Sequence, residues 1–352
     1  MKESNMYELI KRLPKVDLHV HLDGSVKPNT VIELAQTQGI NLSVSNVKQL
    51  IPLIQVNDNC TDLAQYLTKF DLVSKVLHTS EALERVAFEI VEQAYEDNCK
   101  YIEVRFGPQL HCEKGLTVEG VIHSVIKGLK RGESVFGVKA NAIACCLRHH
   151  TVEQNMLVIK AATGFLNHGL VGVDLAGDEA SYPAYLFEDV FKLASKNGLP
   201  ITIHAGEAGG PENIKVALNN LGAARIGHGV RLRENTELLN KLNLRRIPLE
   251  MCPVSNIQTK ASLSWDDYPI REYFDLGLNI TVNTDNLTVS NTNLTNEYYI
   301  LKEKFNFSIG ELGQLIMNAV DASFLNFREK KKLKSKCLLE YSKIVSVTEQ
   351  VI

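Results

Sequence analysis

Two histidines separated by one residue end the apolar run Val16-Asp17-Leu18-His19-Val20-His21. Side chains alternate faces along an extended strand. His19 and His21 therefore point the same way and stand close enough to share one divalent metal ion. Asp17 has the same parity, while Leu18 and Val20 face the other side. Leu22-Asp23-Gly24-Ser25 reads as a turn, and Pro28 sits where a first helical turn begins. The pair thus lies at the carboxyl end of a strand, beside a strand-to-helix loop. Two histidines that merely pack or bind water would have the same spacing, so the rest of the chain must decide.

Four further segments carry chemically loaded residues: Val173-Asp174-Leu175-Ala176-Gly177-Asp178-Glu179, Ile203-His204-Ala205-Gly206-Glu207, Ile226-Gly227-His228-Gly229 and Val282-Asn283-Thr284-Asp285-Asn286. Each ends a short apolar, strand-like run. His19, His21 and His204 offer three nitrogen donors and Asp285 a carboxylate, a set that suits Zn²⁺ or a similar divalent ion. A catalytic site of this kind leaves a position for water, whose pKa can fall to about 7. Glu207, three residues beyond His204 in a glycine-containing turn, suits a general acid/base role. His228, from the next strand, suits a residue that holds the attacking water.

The elements that must position these residues alternate. Strand-like runs fall at 15–20, 100–106, 138–147, 170–175, 200–204, 225–228, 246–251 and 279–284. Amphipathic helical stretches fall between them, among them 81–97, 116–131, 152–168, 185–197, 210–221, 234–241 and 266–276. Strands each followed by a helix predict an α/β fold, a (β/α)₈ TIM barrel, whose strand carboxyl ends open on one face where active sites sit. The long gap from about 22 to 99 predicts extra helices inserted after the first strand, placed to cover the barrel mouth as a lid. A helical C-terminal tail is expected over 294–345. No linker-like stretch or repeat divides the chain, so residues 1–352 are expected to form one domain.

The bulk composition excludes several classes. A formal net charge of −3 over 352 residues favours neither nucleic acid nor an anionic membrane surface as partner. The basic run Lys330-Lys331-Lys332 reads as the solvated face of a helix. No run is long and apolar enough to span a bilayer. Met1–Asn5 open the chain without the apolar run of a secretory leader. Seven irregularly spaced cysteines do not suggest a disulfide framework. A cytoplasmic protein with a small-molecule substrate, and no obligatory protein partner, is expected.

Together, His19-Val20-His21-Leu22-Asp23-Gly24, Asp174-Leu175-Ala176-Gly177-Asp178-Glu179, His204-Ala205-Gly206-Glu207, Gly227-His228-Gly229 and Asn283-Thr284-Asp285 resemble the adenosine deaminase family of metal-dependent hydrolases. The resemblance runs from about Leu13 to the C-terminal helices. It implies a barrel holding one zinc ion on His19, His21, His204 and Asp285, with Glu207 protonating purine N1 as hydroxide attacks C6 and His228 beside the nucleophilic water. It further implies Gly177 as a backbone donor to purine N3 and Asp23 as the residue at the ribose end. The implied reaction turns adenosine into inosine, and 2′-deoxyadenosine into 2′-deoxyinosine, with loss of ammonia. One position departs from the family pattern. Many members carry a second aspartate after the ligand aspartate, contacting purine N7, whereas this chain has Asn286. An amide always offers N–H groups to an acceptor such as N7, so Asn286 is expected to bind the base.

Other readings stay open at this level. Asp23 could cap the following helix, and Asp174 and Asp178 could be supporting or turn residues. His149 and His150 read as surface or supporting residues, and Cys252-Pro253-Val254-Ser255-Asn256 as pocket wall. His111-Cys112-Glu113 matches half of another zinc-deaminase signature, but its Pro-Cys-x-x-Cys partner is absent. Adenine, an N6-modified adenosine or AMP could replace adenosine on the same scaffold. A two-metal amide or phosphoester hydrolase is a further alternative, though no lysine sits at a strand end to bridge two ions.

Overall fold

The computed structural model describes residues 3–57 and 59–349, leaving out Met1 and Lys2 of the polar opening. Eight strands follow in order: β1 (Lys15–His21), β2 (Cys99–Phe106), β3 (Lys139–Leu147), β4 (Leu170–Ala176), β5 (Thr202–Ala205), β6 (Arg225–His228), β7 (Leu249–Met251) and β8 (Ile280–Val282). Neighbours pair in parallel within β1–β4 and within β5–β8. Single bridges, Val173 with Ile201 and Val20 with Asp285, close the two halves into the expected barrel.

Parallel strands are covered on both faces, so they read as near-continuous buried runs. Helices such as Ser80–Glu96, Val118–Phe136 and Val152–Thr163 pack around them. Several expected strands prove shorter, for local reasons. Proline has no N–H to give a ladder, and β5 and β7 begin just beyond Pro200 and Pro248. β8 stops before Asp285, whose φ of 60° turns the chain out of the extended region. The helix expected over 152–168 ends at Thr163, where Gly164 caps it.

The 22–99 gap holds the helices Pro28–Gln38, Val47–Ile54, Leu63–Leu67, Asp71–Ser74 and Ser80–Glu96. The short ones form a separate apolar cluster in which Val56, Cys60, Leu63 and Tyr66 pack on Val289. Tyr66 Oη lies 2.7 Å from Ser290 Oγ. The insertion is thereby fastened over the loop after β8, as the lid reading expects. The tail forms Leu294–Phe305, Ile309–Ala322 and Phe327–Glu349. Among the described residues no helix is long and apolar enough to cross a membrane.

Polar groups fill part of the barrel interior. Arg105, Arg225, Glu103 and Glu250 are at most 1% exposed. Buried charges persist only when paired. Arg225 donates to Glu250 (2.6 Å) and Glu103 (2.6 Å), and Arg105 donates to Glu250 (2.8 Å) and Asp174 (2.9 Å). This ionic floor lies directly beneath the histidines.

Candidate active site

His19 and His21 lie on β1, His204 on β5 and His228 at the end of β6, while Asp285 follows β8. Their convergence has a backbone cause: His228 and Asp285 both adopt left-handed conformations, with φ of 62° and 60°. Such geometry in a residue other than glycine costs about 1–3 kcal/mol and persists only where the surroundings enforce it. Here it turns both side chains inward at the point where their strands end.

Donor atoms joined to one zinc ion by bonds of about 2.0–2.1 Å at tetrahedral angles stand about 3.3 Å apart. His21 Nε2 is 3.3 Å from Asp285 Oδ1 and 3.2 Å from His204 Nε2, and His19 Nε2 is 3.4 Å from Asp285 Oδ1. His19 Nε2 is buried without a hydrogen-bond partner, as an atom reserved for a ligand would be. The four groups fit a divalent ion. Donor atoms of His19, His204, His228 and Asp285 also lie within 4.8 Å of one another, so distance alone admits His228 as well.

Tautomers sharpen the assignment. His19 Nδ1 lies 2.9 Å from Glu250 Oε2, and His204 Nδ1 lies 2.9 Å from Asp174 Oδ2. Burial alone would raise both carboxyls, but Arg105 and Arg225 hold Glu250, and His204 and Arg105 hold Asp174, well below the ordinary range. Ionised carboxylates only accept, so each histidine donates from Nδ1 and keeps its Nε2 lone pair for the centre, as in carboxylate–histidine–metal sites. Burial pulls the His21 ring well below its usual pKa, with His204 and His19 adding to the fall against Asp285. That leaves it neutral. Ser255 Oγ donates to Asp285 Oδ2 at 2.5 Å.

These groups open onto a cavity of about 440 Å³ at the strand carboxyl ends, lined also by Asp23, Gly177, Glu207 and Asn286 and roofed by the lid. All nine sequence-predicted residues thus meet at one place. Glu207 is 5% exposed. Burial first, then the charges of Asp285 and Glu179, push its carboxyl well above the usual range and favour the neutral acid. Its Oε2 is 3.6 Å from His228 Nε2. Asp23 Oδ1 is buried without a partner, and burial lifts this carboxyl to about 6. Capping the next α-helix is not its task, because that helix starts at Pro28 with Lys27 at its N-cap and no side-chain cap. Gly177 has a φ of 106°, which a side chain would oppose. Asn286 packs flat on Gly24, where an added Cβ would strike the amide, and its Oδ1 has no partner.

Asp174 proves to be the support of His204. Asp178 is a turn residue whose Oδ1 accepts from Ala180 and Ser181 N–H at 3.1 Å each. His149 sits on the cavity wall. The segment Cys252–Asn256, expected as pocket wall, instead stands behind the site: Ser255 meets Asp285 and Asn256 meets His228. Sequence reasoning gave no role to Arg105, Glu250 or Glu179. Glu179, 1% exposed, accepts from four successive backbone N–H groups, those of Gly206, Glu207, Ala208 and Gly209, at 2.7–2.9 Å. It thereby fixes the turn that presents Glu207. A charge set in an apolar strand, as in Pro248-Leu249-Glu250-Met251, was the available signal for Glu250.

The sequence profile of a family described as adenosine deaminase matches residues 14–339. The chain belongs to the adenosine deaminase family. An adenosine deaminase of Clostridium botulinum (strain Langeland) is 44% identical over 326 residues, which cover 92% of this chain and 97% of that protein. Among solved structures of similar shape, an adenine deaminase from Arthrobacter aurescens has a TM-score of 0.87 at 28% identity, covering 95% of this chain and 99% of its own. An N6-mAMP deaminase from Arabidopsis has a TM-score of 0.84 at 30% identity, covering 94% and 99%. The fold thus agrees with the family.

Proposed function

We propose that this adenosine deaminase family enzyme hydrolyses adenosine to inosine and 2′-deoxyadenosine to 2′-deoxyinosine, releasing ammonia. The observation that carries the reading is the meeting of His19, His21, His204 and Asp285 with a buried, neutral-leaning Glu207 on one cavity, in a chain alike over nearly its whole length to an adenosine deaminase. We read residues 1–352 as one barrel domain. Its seven cysteines are free thiols, which supports a reducing, cytoplasmic compartment.

His19, His21, His204 and Asp285 would hold the metal, and the N/O donor set favours zinc. When bound, zinc supplies Lewis-acid activation of water near neutral pH. Glu207 gives its proton to purine N1 as the water oxygen adds to C6; of the two protons the water gives up, one passes to N6, which leaves as ammonia as the C6–N6 bond breaks, and the other restores the Glu207 acid. His228 orients the water. Gly177 N–H serves N3 and Asp23 the ribose end. The cavity lining contains Asp23, Asp71 and Asp178 and, among the described residues, no Lys or Arg. That charge balance disfavours a 5′-phosphate and supports a nucleoside over the AMP reading.

The test is the ultraviolet spectrum of adenosine over time with purified protein. A shift to the inosine spectrum is expected, lost after chelation and restored by Zn²⁺. No shift with metal-loaded protein overturns the adenosine reading, and adenine, N6-methyladenosine and AMP assayed in parallel identify the substrate class instead. Asn286→Ala is expected to lower kcat/KM by about 1–3 kcal/mol, the worth of one buried hydrogen bond. An unchanged kcat/KM would remove Asn286 from the base contacts.

A further inference from the structure

His228 poses a problem that distance does not solve. One of its ring nitrogens lies within 4.8 Å of donor atoms of His19, His204 and Asp285, yet Glu207 Oε2 also lies 3.6 Å from its Nε2. Whether Nε2 carries a lone pair or a proton decides which task the ring can perform.

The answer lies on the far side of the ring. His228 Nδ1 is 2.9 Å from the Asn256 side-chain amide. Asn256 is fully buried in the short helix Pro253–Gln258. Which end of an amide faces a neighbour must be argued from its contacts, and here they are unambiguous. The Cys252 backbone N–H, a donor only, points at Asn256 Oδ1 at 3.2 Å. Tyr268 Oη donates to the same oxygen at 3.0 Å. Oδ1 is thus the doubly accepting end, and the NH₂ group faces His228. An NH₂ group can only donate, so His228 Nδ1 accepts and the ring proton sits on Nε2. His19 and His204 show the opposite arrangement, with carboxylates on Nδ1.

We propose that Asn256 is a positioning residue that locks His228 as the Nε2–H tautomer, so that His228 donates a hydrogen bond into the cavity and is barred from becoming a further metal ligand. The opposed backings sort three clustered rings: carboxylate-backed His19 and His204 present lone pairs, and amide-backed His228 presents a proton. The inference rests on the functional reading only for its kinetic consequence; the tautomer stands on geometry.

The direct test uses the full-length, metal-loaded enzyme labelled with ¹⁵N-histidine. Ring nitrogens report by chemical shift whether each carries a proton, and the His228 signals are assigned by their loss in His228→Asn. The expected result is an unprotonated Nδ1 and a protonated Nε2. A protonated Nδ1, alone or together with Nε2, overturns the proposal, and this arm needs no Asn256 variant to fold. Asn256→Asp then keeps both bonds accepted by the side chain but replaces the NH₂ group with an acceptor. His228 is expected to move its proton to Nδ1, with kcat falling about 10–100-fold, the scale of support-residue losses at such sites. Retained kcat, or lost kcat without a change in the ring signals, would make Asn256 a packing residue only. If wild-type protein leaves adenosine untouched while the ring signals are as expected, the adenosine reading fails and the tautomer lock stands.

Discussion

Replacement of Glu207 by Gln is expected to lower kcat by about 10²–10⁴-fold, the range that one positioned acid supplies. Gln keeps the size and can still hydrogen-bond to N1, but it has no proton to give. Inosine binding, a ground-state property, should change little. Steady-state kinetics with adenosine, together with inosine titration, separate the two effects, and a kcat within tenfold of wild type would remove Glu207 from proton transfer. The same residue predicts a pH dependence of stability. Its folded-state pKa is raised, mainly by burial and then by Asp285 and Glu179. Its contribution is therefore complete below the unfolded carboxyl pKa of about 4.3 and is lost as pH rises through the folded pKa. Gln does not titrate, so in metal-free protein the variant should gain on wild type in Tm as pH rises. A difference in Tm that is flat with pH would contradict a raised pKa.

Much of this site is legible in the sequence because its first layer is local. A His-x-His at a strand end, a His and a Glu three residues apart in a glycine turn, and an Asp after Asn-Thr at the end of a strand-like run are short patterns. The barrel then brings all of them to one face. The supporting layer is not local. Arg105 reaches Asp174 and Glu250, which lie on other strands, and Glu179 reaches the backbone of residues 206–209. The partners in such contacts are fixed only by the closed barrel, and a backbone N–H leaves no mark in a sequence. Asn256 escaped notice for a related reason. Its meaning depends on which end of the amide faces His228, and that is set by Cys252 N–H and Tyr268. Strand edges were misjudged where proline or a left-handed residue cut the ladder short, as at Pro248 and Asp285.

Arg105→Met should damage the site without touching it. Arg105 is fully buried. One of its nitrogens donates to Asp174 at 2.9 Å, and the other to Glu250 at 2.8 Å and to the Leu18 carbonyl at 2.7 Å. Those two carboxylates set the tautomers of His204 and His19. Methionine fills similar space but donates nothing. Glu250 would keep Arg225 (2.6 Å) and Thr202 (2.8 Å), whereas Asp174 would lose Arg105, the one Arg hydrogen-bonded to it among the described residues. Breaking a buried ion pair from one side costs about 3–5 kcal/mol, to be read as the loss of unfolding free energy in denaturant titrations. Asp174 would then take up a proton more readily and accept less firmly from His204, so metal retention against a chelator should fall about 10–100-fold. The sign with pH follows. The low folded-state pKa of Asp174 gives stability that is present above its unfolded pKa and lost as pH falls, and the variant should lack that acid-sensitive part. Adding Asp174→Asn to Arg105→Met removes the stranded charge. It should recover part of the stability while leaving metal retention poor, because an amide can present its NH₂ group to His204 and does not hold the ring as a carboxylate does. A single variant within about 1 kcal/mol of wild type, still retaining its metal, would mean that the histidines are oriented without Arg105.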